Sequence, residues 1–89
     1  MSPQVNADAD EIDRFAQELK VFNDQLRESS ARLNAGFSRL GDTWRDQGHQ
    51  KFAQEYQQTM RTLMQFMRSA DEQVPFLRER ARRIRSVYP

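Results

Sequence analysis

The sequence predicts an all-α fold, an antiparallel two-helix hairpin that dimerises into a four-helix bundle. Apolar residues recur at spacings of three and four over two long segments, which is the pattern of amphipathic helices that pack together. Only the short stretch "GDTWRDQG" joins these segments, so the two helices should run antiparallel. The chain has 89 residues and 37% hydrophobic content, a lean core for a monomer, and a second hairpin would complete it.

The first helix is expected over about residues 7–40. Asn and Asp residues in "NADADEID" are candidates for its N-cap, and the acids there suit the positive end of the helix dipole. Gly41 fits the position just after the helix, where glycine often closes the last turn. The apolar positions that define the helix are Ile12, Phe15, Leu19, Phe22, Leu26, Leu33, Phe37 and Leu40.

The corner is expected at residues 41–46, and the second helix at about 47–73. Asp42, Thr43 and Asp46 are all candidates for the N-cap of the second helix. Pro75 lacks a backbone N–H and clashes with the preceding turn, which predicts a kink or break near it. A C-terminal helical piece should follow at about 75–85, and residues 1–89 should form a single helical-hairpin domain.

The second segment has an apolar stripe that is wider than one partner helix requires, since Ala53, Met64 and Phe66 broaden it. We therefore expect a dimer, either of two identical chains or with a paralogous helical hairpin. Ser29 and Gly36 are small residues on the first helix that would permit close helix approach. The predicted dimer interface comprises Phe52, Tyr56, Met60, Leu63, Met64, Met67, Ser29 and Gly36.

Charge is distributed unevenly along the chain. Residues 1–20 carry five acids and two bases, whereas residues 76–89 carry five arginines and one acid. An antiparallel hairpin would bring the two ends together, so the acids should pair with the arginines. The alternative is an anion-binding or nucleic-acid-binding cluster, which a net charge of +1 does not favour. The groups concerned are Asp10, Glu11 and Asp13 at one end and Arg78, Arg82 and Arg85 at the other.

The single tryptophan, Trp44, lies at the corner, and Phe52 follows eight residues later inside an amphipathic helix. This arrangement resembles the WXG100 family of small helical-hairpin proteins over nearly the whole chain. The family motif is Trp, any residue, Gly, whereas this chain has Trp44-Arg45-Asp46. The resemblance implies a dimeric interaction protein of type VII secretion, acting as a substrate, partner or adaptor, with an FtsK-like ATPase as a further partner. It also implies that Trp44, Arg45 and Asp46 form a recognition corner.

A second element of the resemblance is missing. Many exported members or their partners carry a C-terminal Tyr with an acidic residue four positions later. Tyr56 is followed four positions on by Met60, and Tyr88 is followed only by Pro89. A partner would have to supply this signal, or the protein is not exported. The acidic N-terminus has no apolar run, so we expect a cytoplasmic protein, or one secreted without a cleaved signal peptide.

The chain has few residues that could act in catalysis or bind a metal or cofactor. The chain has no cysteine and one histidine, His49, which is expected to be solvated in the first turn of the second helix. No nucleophile is paired with it, and no glycine-rich phosphate loop is present. We therefore expect neither an enzyme nor a metal or cofactor site, and no membrane span. Trp44 has two compatible interpretations, a hydrophobic plug at the bundle end and a group recognised by a partner.

Overall fold

Two long antiparallel helices make up the computed structural model, which describes residues 8–87. Helix α1 spans Ala9–Thr43 and helix α2 spans Gln47–Val87. They pack side by side into a rod of 66 × 18 × 15 Å. The predicted helical hairpin is confirmed, while residue 7 and Tyr88 lie outside the described residues. Within residues 8–87 neither helix carries an apolar stretch long enough to cross a bilayer.

Helix α1 begins as its sequence predicts but ends later. The Asp8 carboxylate accepts a hydrogen bond of 2.9 Å from the Asp10 backbone N–H, as an N-cap does. The helix then continues beyond Leu40 to Thr43, so the prediction that Gly41 closes it is wrong. Gly41 does not adopt the positive φ of a glycine cap, and Trp44 ends the helix in an extended conformation with φ −103° and ψ 108°.

The end of α1 is held by backbone and side-chain donors. The Trp44 backbone N–H donates to the Leu40 carbonyl over 2.9 Å. The Arg45 guanidinium donates twice to the Asp42 carbonyl, over 3.3 and 3.2 Å. These donors satisfy carbonyls that the helix leaves without partners, and the arginine charge complements the negative end of the helix dipole. The helix therefore ends without the expected glycine.

Helix α2 runs through Pro75 as one element, so the predicted break and the separate C-terminal piece are absent. Proline still removes the N–H that would bond to the Asp71 carbonyl. Contacts with α1 on both sides of Pro75 account for the continuity. Val74 and Ala81 are buried against α1, and Arg78 donates to the Gln17 side chain over 3.0 Å.

The seam between the helices follows a seven-residue repeat, the spacing at which helices wind around each other. On α1 the buried positions carry small side chains, which lets the helices approach closely. Ser29, which was expected to permit close helix approach, is exposed, and Gly36 is half-buried. The buried seam residues are Ala9, Ala16, Asn23 and Ser30 on α1 and Met60, Met67, Ala70, Val74 and Ala81 on α2.

Among residues 8–87, Asn23 has the largest of the fully buried side chains, with 2% of its surface exposed. Its side-chain N–H₂ donates to the Met67 carbonyl and to the Asp71 carboxylate, both over 3.0 Å. A buried polar residue of this kind stabilises one register, because sliding the helices would leave it without partners. Asn23 therefore fixes which residues of α1 and α2 lie at the same height.

Candidate functional site: the corner and the open face

The two sides of the hairpin have different chemistry. One side, the closed face, carries polar contacts between α1 and α2 along its length. Arg27 bonds to Asp71 over 2.9 Å, and Asn34 accepts a hydrogen bond from Tyr56 over 2.6 Å. Arg85 reaches both Asp10 and Asp13 over 2.6 Å. These bonds pair several polar groups of the closed face within the hairpin itself.

The opposite side, the open face, presents phenylalanines instead of polar pairs. Phe15 and Phe22 on α1 and Phe66 on α2 border an apolar groove of about 480 Å³. The Phe22 and Phe66 rings meet edge to face with centroids 5.8 Å apart. More than half of the Phe15 and Phe22 side-chain surfaces is exposed, at 56% and 52%. No contact within the described hairpin covers these rings fully, which makes this face the candidate surface for a partner.

Towards the corner, the open face contains a second depression in its surface. A second groove of about 190 Å³ lies there, bordered by Leu33, Gly36, Leu40 and Phe52 among others. Leu33 and Leu40 are 55% and 40% exposed although they lie next to the seam. A Cβ at Gly36 would meet only the Arg39 side chain, at 3.6 Å. The missing side chain at Gly36 therefore opens a space beside the leucines.

The residues predicted for a dimer interface fall into three groups. Phe52 and Gly36 border the open-face hollow, and Ser29 is exposed one repeat before Gly36. Met60 and Met67 are buried in the hairpin's own seam, where Leu63 and Tyr56 are half-buried. Met64 is 50% exposed and borders a closed-face groove of about 290 Å³.

The corner is built around a cluster of aromatic rings. Phe37 of α1 stacks on Tyr56 of α2 with centroids 4.4 Å apart. Trp44 meets the His49 ring edge to face at 5.2 Å and lies 5.9 Å from Phe52. Aromatic pairs at such separations stabilise the fold beyond the area they bury. The half-buried Trp44 therefore belongs both to the bundle end and to its surface.

Helix α2 begins with a cap and a close approach at the corner. The Asp46 carboxylate accepts from the His49 backbone N–H over 3.2 Å, so Asp46 is the N-cap among the three predicted candidates. At Gly48, a Cβ would lie 3.0 Å from the Asp46 carboxylate oxygen and 3.3 Å from the Trp44 ring. The glycine that lets the indole approach the backbone is thus Gly48, two positions beyond the motif's third residue.

His49 is not the solvated residue that the sequence predicted. Its ring stacks on Phe37 with centroids 5.9 Å apart and an interplanar angle of 12°. Its Nε2 is buried without a hydrogen-bond partner in the described part of the chain and lies 3.6 Å from where a Gly41 Cβ would be. The spacing of His49 from Phe52 and Tyr56, on one face of α2, was the sequence signal for this cluster.

Four of the C-terminal arginines, Arg78, Arg82, Arg83 and Arg85, contact neighbouring side chains. Of the three arginines predicted to pair with the N-terminal acids, Arg85 alone does so among residues 8–87, contacting Asp10 and Asp13. Arg82 pairs with Glu79 inside α2, and Arg78 donates to the Gln17 side chain. Hydrogen bonds from Arg85 lower the pKa of Asp10 and raise the pKa of the arginine. Hydrogen bonds from Arg82 and Arg83 lower the pKa of Glu79 to about 2.

One of the comparisons with known proteins finds a family for the chain. A family model described as proteins of 100 residues with WXG matches residues 4–87 of the chain. This match spans both helices and places Trp44 in the middle of the matched region. Searches of curated proteins and of solved structures give no match.

Proposed function

Because the chain belongs to the WXG100 family, we propose that it is a dimeric interaction protein of a type VII secretion system, acting as a secreted substrate or as a partner in secretion. The observation that carries this proposal is Trp44 at the turn of a helical hairpin, in a chain that the family model covers almost completely. No enzymatic step is part of the proposed function.

In this function the open face binds a second hairpin. Two helices pack into a single layer. Their exposed phenylalanines and leucines stay in contact with water unless a second helical hairpin covers them. The closed face does not require a second hairpin to the same extent, because polar side chains on it form hydrogen bonds across the two helices. Packing two hairpins through their open faces therefore gives a four-helix bundle with a continuous apolar interior.

The corner supplies the recognition surface. Arg45 and Asp46 cap the adjoining helix ends, so their main contribution is to hold the turn in one shape. Trp44 is held on this rigid turn by His49 and Phe52 while part of its indole stays accessible. A rigid, half-exposed aromatic side chain binds a protein partner at low entropic cost. The proposed partner is the secretion machine, including its FtsK-like ATPase.

Export in cells tests this proposal. The chain is expressed with any paralogous hairpin it requires in a host with an active type VII system, and the culture medium is assayed for it. We expect the wild type in the medium and Trp44→Ala retained in the cells. Val21→Ala, which alters an exposed apolar residue away from the corner, is the matched control and should be exported. Export of Trp44→Ala at the wild-type level would refute the role of the corner.

A further inference from the structure

The polar contacts of the closed face leave a gap in the corner half of the rod. On one side of this gap Arg27 bonds to Asp71, and on the other side Asn34 accepts a hydrogen bond from Tyr56. Between these two contacts α1 carries Ala31, whose methyl group makes no polar contact. The gap is a groove of about 290 Å³, which we call the closed-face groove.

Methionine side chains of α2 line the closed-face groove. Met60 and Met67 are buried in the seam, whereas Met64 is 50% exposed. A methionine side chain is flexible and polarizable, so it adapts to the shape of an apolar group that packs on it. The groove can therefore accept an apolar side chain from another molecule.

The size of the groove favours a protein side chain over a whole small molecule. Sites for small molecules and cofactors usually hold about 300–1,000 Å³ and bury most of the ligand. At about 290 Å³, the closed-face groove lies just below this range, and it lies between two long helices. Packing one side of an amphipathic helix into such a groove is a recurrent mode of recognition between proteins.

Two arginines of α2 flank the exposed methionine. Arg61, Met64 and Arg68 follow one another at spacings of three and four, so they share one side of the helix, and Arg68 also lines the groove. Both arginines are exposed, and Arg61 donates to the uncharged Gln58 side chain. Neither forms an ion pair with a residue in the described part of the chain. Their charges are therefore available to a partner.

Acidic residues are missing from the sequence around the groove. Residues 29–41 of α1 and 56–70 of α2 contain four arginines and no aspartate or glutamate, although the whole chain has a net charge of only +1. These two segments lie side by side, since Phe37 stacks on Tyr56. Positive charge is thus concentrated near the groove, and it attracts a negatively charged partner.

We infer that the closed-face groove binds an acidic amphipathic helix of another protein. One apolar side chain of that helix packs on Met64, and the carboxylates on either side of it pair with Arg61 and Arg68. The two arginines are about 10.5 Å apart along α2, at 1.5 Å per residue. A partner helix lying along α2 therefore carries two acids seven residues apart, with an apolar residue midway between them. This binding goes beyond the proposed function, since it leaves the open face available to a second hairpin.

The lining of the groove favours a protein partner over nucleic acid. An oligonucleotide would supply phosphates for Arg61 and Arg68 but no apolar side chain for the methionines. Binding of single-stranded bases also depends on aromatic side chains on which the bases stack, and the described residues that line the groove include none.

Fluorescence anisotropy of a labelled synthetic peptide tests the inference on the full chain. The probe is a helix-forming peptide with two glutamates seven residues apart and one leucine midway between them. We expect saturable binding at low salt and weaker binding as the salt concentration rises, because salt screens the ion pairs. Replacing both glutamates by glutamine should weaken binding about tenfold, since two exposed ion pairs are lost. An absence of saturable binding, or equal binding of the two peptides, overturns the inference.

Charge removal on the protein tests which arginines bind the peptide. Arg61→Gln/Arg68→Gln should weaken peptide binding about tenfold, as the glutamine peptide does. Arg32→Gln/Arg39→Gln is the matched control, because it removes the same charge from the same acid-free segments. The Arg39 side chain lies 3.6 Å from where a Gly36 Cβ would be, on the open face, so this variant should bind almost as the wild type does. Equal losses in the two double variants would overturn the site, because only net charge would then matter.

Filling the groove tests its role without changing any charge. Ala31→Phe places a ring in the groove, so it should abolish peptide binding. Ala35→Phe, the same change one turn later on α1, is the matched control and should bind normally. Ala31 and Ala35 are both exposed, so neither variant should lose helix content in circular dichroism.

Three outcomes of this last comparison would overturn the inference. The first is peptide binding that survives in Ala31→Phe. The second is tight binding of duplex DNA that depends on Arg61 and Arg68 but not on Ala31, which would identify a phosphate-binding surface. The third is loss of self-association in Ala31→Phe during sedimentation, which would assign the groove to contacts between hairpins. Unchanged self-association together with lost peptide binding supports a separate site for an acidic helix.

Discussion

At the scale of single residues, Trp44 is positioned by contacts from both sides of the turn. Its backbone closes α1, while its ring reaches His49 and Phe52 on α2. Gly48 leaves room for the indole where any other side chain would contact it at 3.3 Å. The motif position that holds glycine in the family holds Asp46 here, and its carboxylate caps α2. Asp46 therefore caps α2, while Gly48 allows the indole to approach the backbone.

Replacing Trp44 should weaken the corner without unfolding the hairpin. We expect Trp44→Ala to cost about 1–2 kcal/mol, less than the 3–5 kcal/mol typical of a fully buried tryptophan, because the ring is only partly buried. Chemical denaturation followed by far-ultraviolet circular dichroism measures this cost, and the helix content should remain close to that of the wild type.

The intrinsic fluorescence of the wild type provides an independent measure of the same feature. Trp44 is the only tryptophan, so its emission should have an intermediate wavelength and be quenched by acrylamide. A blue-shifted emission that resists quenching, together with collapse of the Trp44→Ala variant, would identify the indole as core and contradict its proposed role on a recognition surface.

At the scale of the helices, the seven-residue apolar pattern was sufficient to predict the two elements and their antiparallel pairing. The helix ends were harder to predict from the sequence, because the C-terminus of α1 depends on hydrogen-bond donors from Arg45 and Trp44 rather than on Gly41. The continuity of α2 through Pro75 was not predictable from local propensity, since it depends on packing against α1.

The position of residues around each helix was also only partly predictable. Met60 and Met67 belong to the same apolar stripe as Phe52, and the sequence does not say which of them α1 covers. The seam is fixed by Asn23, whose partners on α2 are 44 and 48 residues away. Such long-range partners leave no local signature, so the surface proposed for a partner could be predicted only as a broad stripe.

The contact between the helix ends should depend on pH. Arg85 lowers the pKa of Asp10 in the folded chain, so this contact stabilises the fold above the carboxyl's ordinary value of 3.8. The stabilisation is lost as the pH falls through the lowered folded value. We expect Arg85→Gln to reduce the melting temperature slightly at pH 7, and the difference from wild type to shrink below about pH 4.

Arg80→Gln is the matched control, because it removes the same charge from the same region of α2 and Arg80 has no ion pair within residues 8–87. It should change the melting temperature less than Arg85→Gln does. High salt should narrow the difference further by screening the ions. Equal effects of the two variants at every pH would show that net charge, not the contact with Asp10 and Asp13, is responsible.

At the scale of the whole molecule, the open face and the outer side of α1 should respond differently to polar substitutions. Phe22→Gln removes a ring that projects from the open face, whereas Val21→Gln alters the neighbouring residue on the outer side of α1. Both side chains are largely exposed in the single hairpin, at 52% and 43%, so neither change should unfold it. Only Phe22→Gln should weaken dimerisation.

Analytical ultracentrifugation over a range of concentrations provides the measurement. We expect at least a tenfold higher dissociation constant for Phe22→Gln than for Val21→Gln. The melting temperature of the wild type should also rise with concentration, because association stabilises the folded chain by mass action. Equal dissociation constants for the two variants would place the partner surface elsewhere.

The distribution of contacts along the rod also has a consequence for how the chain folds. The ring contacts at the corner join residues close in sequence, such as Phe37 and Phe52, whereas the Arg85–Asp10 contact closes a loop between residues 75 apart. Closing a short loop costs less conformational entropy than closing a long one. Folding should therefore nucleate at the aromatic corner and zip towards the termini, and fraying should begin at the Arg85 end.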